Sequence, residues 1–146
     1  MEIMKVMLDP GAKMPTRAHS LDAGYDLYSP VGVYLFPRWR GGAQNSVVID
    51  TGVHVQIPEG YVGDVKSKSG LMVNHDIITD GTVDAGYTGS IRVKLFNLGN
   101  EICHIEKGQK IAQLVIKKII TPELEEVDCL EDTERGNGGF GSTGAF

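Results

Sequence analysis

Cysteine is scarce in this chain: the 146 residues hold two, Cys103 and Cys129, far apart in sequence. A disulfide framework needs more, so a reducing cytoplasm is the expected setting. Long apolar runs are missing as well. None approaches the ~20 residues of a membrane span, and Met1-Glu2-Ile3-Met4-Lys5 lacks the apolar segment of a signal peptide, so no membrane partner is expected. Positive charge is in the minority, with 14 Lys and Arg against 19 Asp and Glu, a net charge of −5. That balance excludes non-specific grip on a nucleic-acid backbone, which needs a basic surface. It leaves room for a small phosphate-bearing ligand held by a few local cations. A sustained 3.6-residue apolar period is also absent, which removes long helices from the expected fold.

What remains is a succession of short alternating segments between Gly and Pro turns. Glu2 to Leu8 reads as a first strand ended by Asp9-Pro10-Gly11, and Ala23 to Ser29 as a second, closed by Pro30. Val47 to Ile57 reads as a strand pair interrupted at Asp50-Thr51-Gly52, and Pro58-Glu59-Gly60 turns into a strand from Tyr61 to Val65. Leu71 to His75 supplies one helical turn. Gly81 to Gly89 reads as a hairpin turn that runs into the alternating Ser90 to Phe96. Ile102 to Ile105 is brief, Lys110 to Ile120 is long, apolar and β-branched, and Glu123 to Val127 closes the folded part. Pro37 to Asn45 reads as a solvated loop with one exposed ring, Trp39. The sum is one all-β domain: a sandwich, barrel or jelly roll.

Several chemistries are poorly served by these residues. Cys103-His104 has no nearby Cys-x-x-Cys, as zinc-dependent deamination would require. His19, His54, His75 and His104 fall in no triad pattern, and Gly-x-Ser-x-Gly is absent. Phosphate chemistry fares better. Lys68-Ser69-Gly70 places a cation and a hydroxyl at the mouth of the helical turn, whose free N–H groups favour anions. Gln113 interrupts an apolar run, so it either faces solvent or serves a ligand. The tail from Arg135 to Phe146 has too little apolar surface to fold alone, yet its closely spaced glycines, with Ser142 and Thr143, resemble a phosphate-binding loop.

In order along the chain, Ala23-Gly24-Tyr25-Asp26-Leu27, Lys68-Ser69-Gly70-Leu71, Gly81 to Gly89, Gly108 to Leu114 and Arg135 to Gly144 resemble the five motifs of the trimeric deoxyuridine triphosphatase (dUTPase) family. The resemblance implies a jelly-roll subunit over residues 1–134, with an arm at 135–146 that closes over a neighbour's site in a homotrimer. It implies hydrolysis of dUTP to dUMP and pyrophosphate with Mg2+ on the triphosphate, limiting uracil in DNA and supplying dUMP for thymidylate synthesis. Asp84 matches the family's general base, and Tyr87 the ring under the deoxyribose. Backbone groups of Gly81, Thr82 and Val83 would read uracil, and Phe140 would stack on it. Arg135, Gly141, Ser142 and Thr143 would cover the phosphates, which Lys68, Ser69, Gly70 and Gln113 would also contact, with Arg92 in reach. Asp26 would touch Mg2+ through water.

Two positions depart from the family pattern. Lys68 stands where Arg is common, which keeps the charge and loses the planar fork. Gly86 stands where a second acidic residue is frequent. Two other functions fit the same scaffold. A dCTP deaminase shares a stretch like Val83 to Tyr87, but needs a glutamate that falls in register at Lys94, and tends to carry Trp at the place of Tyr87. A non-catalytic trimeric nucleotide-binding regulator is the other, and the intact Asp84 and complete tail argue against it.

Overall fold

Eleven short strands and one helix follow one another in a computed structural model that describes residues 3–38 and 44–146. They are β1 (Lys5–Leu8), β2 (Gly24–Tyr28), β3 (Val33–Leu35), β4 (Ser46–Asp50), β5 (Val53–Gln56) and β6 (Tyr61–Ser67), then α1 (Ser69–His75). After the helix come β7 (Ile77–Ile78), β8 (Asp80–Val83), β9 (Arg92–Asn97), β10 (Cys103–Ile105) and β11 (Lys110–Lys118). The ladders between these strands are antiparallel. The largest sheet runs β2-β11-β6-β8; a second runs β4-β9-β7, and β1-β5 and β10-β3 form two further pairs. This is the all-β jelly-roll class expected from the sequence.

Alternation builds the core. Along β9, Val93 and Leu95 point inward and are buried, while Arg92 and Lys94 are exposed. Ile49 of the same sheet, and Leu27, Leu114, Ile111 and Leu35 from other sheets, join them in one apolar cluster. Full burial of each such side chain is worth roughly 1.5–3 kcal/mol. Asn97 is a polar side chain buried completely: it donates to the carbonyls of Leu35 (3.1 Å) and Glu101 (2.8 Å) and accepts from Gly99 N–H (2.9 Å). It fastens the β9–β10 turn to β3 with its hydrogen bonds satisfied.

Several sequence expectations need correcting. Val47 to Ile57 does hold two strands, but they pair elsewhere, β4 with β9 and β5 with β1. At the bend between them Gly52 has φ 67°, Thr51 donates to Ile91 carbonyl, and Gly52 N–H bonds Asp50, so the chain turns from one sheet to another. Gly81 to Gly89 is no hairpin, because β8 pairs with β6 while β9 pairs with β4 and β7. It is a corner between sheets. The helix begins earlier than expected, so Ser69 and Gly70 lie in its first turn. Residues 123–127 are exposed and form no strand; Ile119 N–H to Gly60 carbonyl ties the chain to β6 just before them. The short β3 has no alternating run long enough to announce it. Trp39 and most of the loop around it fall outside the described residues.

Candidate active site

Asp84 stands one residue beyond β8, its side chain exposed at the corner. The turn closes by Tyr87 N–H donating to the Asp84 carbonyl at 3.0 Å. Tyr87 then folds back, its hydroxyl donating to Ser90 carbonyl at 2.8 Å. Gly89 makes this possible: a Cβ there would lie 2.5 Å from the Tyr87 hydroxyl oxygen. Ser90 in turn donates to Asp50, whose carboxyl is held below the usual range first by that bond, then by Gly52 N–H and the nearby Arg92. Arg92 Nε lies 3.9 Å from Asp50 and remains largely exposed. β8 is an edge strand, paired on one side only, so alternate backbone groups of Gly81, Thr82 and Val83 point away from the ladder.

A second group of candidate residues sits elsewhere on the same sheet. Asp26 on β2 lies opposite Gln113 on β11, which lies opposite Lys66 on β6. Asp26 is buried, and its two oxygens are taken by two ammonium groups: Lys68 Nζ at 2.7 Å and Lys110 Nζ at 2.9 Å. Burial alone would push its carboxyl up; the two lysine bonds and charges together outweigh that and hold it low. Gln113 donates from Nε2 to Ser67 carbonyl at 3.1 Å, which orients its amide. The half-buried Gln113 thus faces neither open solvent nor the core. Lys68 caps α1 with extended backbone and no side-chain cap bond, leaving the first-turn N–H groups of Ser69 and Gly70 uncovered by it.

Lys110 is the residue that strand alternation misses. Counting back from buried Leu114 and Ala112, position 110 should face the core. A bulge intervenes: Lys110 pairs with Tyr28 and Ala112 with Leu27, so β11 spends two residues where β2 spends one. Ile111 takes the core place and Lys110 is thrown onto Asp26.

One chain does not bring all the candidates together. Val83 is level with Gly63 on β6, and Lys68 lies five residues further along. Asp84 lies one residue beyond Val83 in the opposite direction, so at the rise of an extended strand it is separated from Lys68 by roughly 20 Å. The tail stays apart too. Its hydrogen bonds to described residues all lie within positions 133–144, among them Arg135 Nε to Gly138 carbonyl at 2.8 Å. Phe140 is fully exposed, with φ 50°, and Gly141, Ser142 and Thr143 follow it into solvent.

Among the described residues no three His, Cys, Asp or Glu side chains gather to hold a metal ion. Asp26 is a single carboxylate with both oxygens on lysines. With two ammonium groups on one carboxylate the face carries net positive charge, which suits phosphate oxygens more directly than a metal ion.

A family model described as dUTPase matches residues 11–144. The chain belongs to the dUTPase family. It is 44% identical over 149 residues to the deoxyuridine 5'-triphosphate nucleotidohydrolase of Clostridium kluyveri, covering all of both chains. It is 41% identical to the mitochondrial enzyme of that name from Homo sapiens, covering 99% of this chain but about half, 55%, of the human protein. Among solved structures, a Staphylococcus bacteriophage 80alpha dUTPase with dUpNHpp matches at TM-score 0.85 and 38% identity, covering 99% of each chain. A mutant dUTPase of the S. aureus phage phi11, described with a structural Mg(II) ion, matches at TM-score 0.80 and 34% identity, over 90% of this chain and all of that one. Membership gives the corner and the Asp26–Gln113 face a common setting, for both lie in segments that the dUTPase model spans.

Proposed function

We propose that this chain hydrolyses dUTP to dUMP and pyrophosphate, three copies sharing each site. The observation that carries this reading is the Asp84 corner: an exposed carboxylate just past an edge strand with open backbone groups, and a tyrosine tied back three residues on. The outward backbone groups of Gly81, Thr82 and Val83 pair with the uracil edge. The Tyr87 ring packs under the deoxyribose and leaves no room for a 2′-hydroxyl. Asp84 takes a proton from water as the water oxygen bonds to the α-phosphorus. The bond from that phosphorus to the oxygen bridging to the β-phosphate breaks, and that oxygen leaves with the electron pair in pyrophosphate.

The phosphates go to Lys68, Ser69, Gly70 and Gln113, with Arg92 beside them. Asp84 must stand one water from the α-phosphorus, while Lys68 in the same chain lies roughly 20 Å away along the sheet. That gap supports a site completed by a second copy. Mg2+ on the triphosphate would neutralise phosphate charge, and Asp26 would be the residue that meets it through water. Arg135, Phe140, Gly141, Ser142 and Thr143 close the site from the arm. Free Cys103 and Cys129 suit a reducing cytoplasm, and no helix among the described residues is long and apolar enough to cross a membrane.

Steady-state assays with Mg2+ on dUTP, dTTP, dCTP and UTP test this: only dUTP is expected to turn over well. Asp84→Asn should retain dUpNHpp binding while kcat falls by about 10²–10⁴. Ammonia released from dCTP, or near wild-type turnover by the variant, overturns the reading.

A further inference from the structure

His54 lies outside the residues used so far, yet it grips the same corner. It sits on β5 opposite Met7 of β1, with its ring shared between two acceptors. Nδ1 is 2.8 Å from the Thr88 carbonyl oxygen, and Nε2 is 3.0 and 3.1 Å from the two carboxylate oxygens of Asp9. A neutral imidazole has one N–H and one lone pair, so it serves one of these acceptors and repels the other. Only the imidazolium donates to both. We propose that protonated His54 is a positioning residue that latches the Asp84–Thr88 turn for the nucleotide, so that turnover weakens as His54 loses its proton.

The inference rests on reading that turn as the place of the sugar and the attacking water. Thr88 directly follows Tyr87, and the next residue but one, Ser90, receives the Tyr87 hydroxyl on its carbonyl. The turn is therefore held at Ser90 through Asp50 and at Thr88 through His54. The first of these does not depend on a histidine proton; the second does. Charges facing the ring come from two segments. Asp9, after β1, and Asp50, at the end of β4, favour the cation, while Lys5 on β1 lines the same groove and opposes it. Arg92 is partly engaged with Asp50. The Thr88 carbonyl, then Asp9, raise the His54 value above that of an ordinary histidine, against the opposing effect of burial. The latch is closed below that raised value and opens as pH climbs through it.

The test follows the ring nitrogens of His54 and the amides of Tyr87 and Thr88 by NMR in the full chain over roughly pH 5 to 9. The same series yields kcat/KM for dUTP in the wild type, His54→Gln and Asp9→Asn. The Thr88 resonances should move with the His54 midpoint, and wild-type kcat/KM should fall about tenfold through it, the effect of one charged hydrogen bond. His54→Gln, which has no titrating group there, should lack that fall and sit near the wild-type value at high pH. Asp9→Asn should fold with the ring intact and lower both midpoints together. A Thr88 amide indifferent to His54, or an undiminished pH-dependent fall in His54→Gln, overturns the latch. Coupled titration in a chain that leaves dUTP intact would instead sink the dUTPase reading and keep the latch.

Discussion

Gly24 governs a side chain on the neighbouring strand. A Cβ at that position would lie 2.3 Å from Oε1 and 2.9 Å from Cβ of Gln113. Rotation of Gln113 relieves the first contact and a shift of β2 against β11 the second, so Gly24→Ala forces Gln113 to abandon the Ser67 carbonyl. If Gln113 binds a phosphate equally in ground and transition states, KM for dUTP should rise roughly ten- to a hundredfold with kcat nearly kept, the loss of one hydrogen bond to a charged group. A kcat loss at constant KM would place Gln113 against the reacting phosphorus instead. Nothing in single-letter order announces this pairing. Gly24 and Gln113 are 89 positions apart, and only the β2–β11 register makes them diagonal neighbours.

The β11 bulge has consequences for the whole of that strand. It recruits Lys110, pairs both oxygens of a buried carboxylate, and lets Ile111 fill the core where alternation expected the lysine. Because Asp26 has a lower value folded than unfolded, its charge stabilises the fold above the usual carboxylate range. That contribution drains away as pH falls through the depressed value. Asp26→Asn should therefore cost about 1.5–3 kcal/mol near neutrality and flatten the stability loss below about pH 4. Urea titrations at a series of pH values measure both; an acid slope identical to wild type would remove Asp26 from the account. Strand existence was legible from period-two patterning, since β6 and β9 each bury alternate residues. Pairing was not. The run from Val47 to Ile57 looks like two partners joined by a tight bend, but Thr51 and Gly52 direct β4 and β5 into different sheets, and no local signal encodes a non-local partner.

At the scale of the molecule, the candidate site is legible as residue types and illegible as a place. On the proposed reading five short segments carry the chemistry, yet β6 keeps Asp84 and Lys68 of one chain roughly 20 Å apart, so their proximity would come from assembly. The arm forms its own turns, and among the described residues its hydrogen bonds reach no further back than Thr133, well past the last strand. Removing residues 135–146 should thus reduce dUTP turnover by about a hundredfold or more through lost positioning, while light scattering still reports three copies. A monomeric truncated form would give the arm an architectural duty instead. The open flank of β8 carries one more consequence. A strand with unpaired backbone is also a template on which a stray chain can add, the first step toward a fibril. Here the exposure is four residues long, starts at one carboxylate, Asp80, and stops short of another, Asp84. A second copy laid alongside in register would bring those like charges together at both ends, so the groups offered to a small flat base are withheld from a polymer.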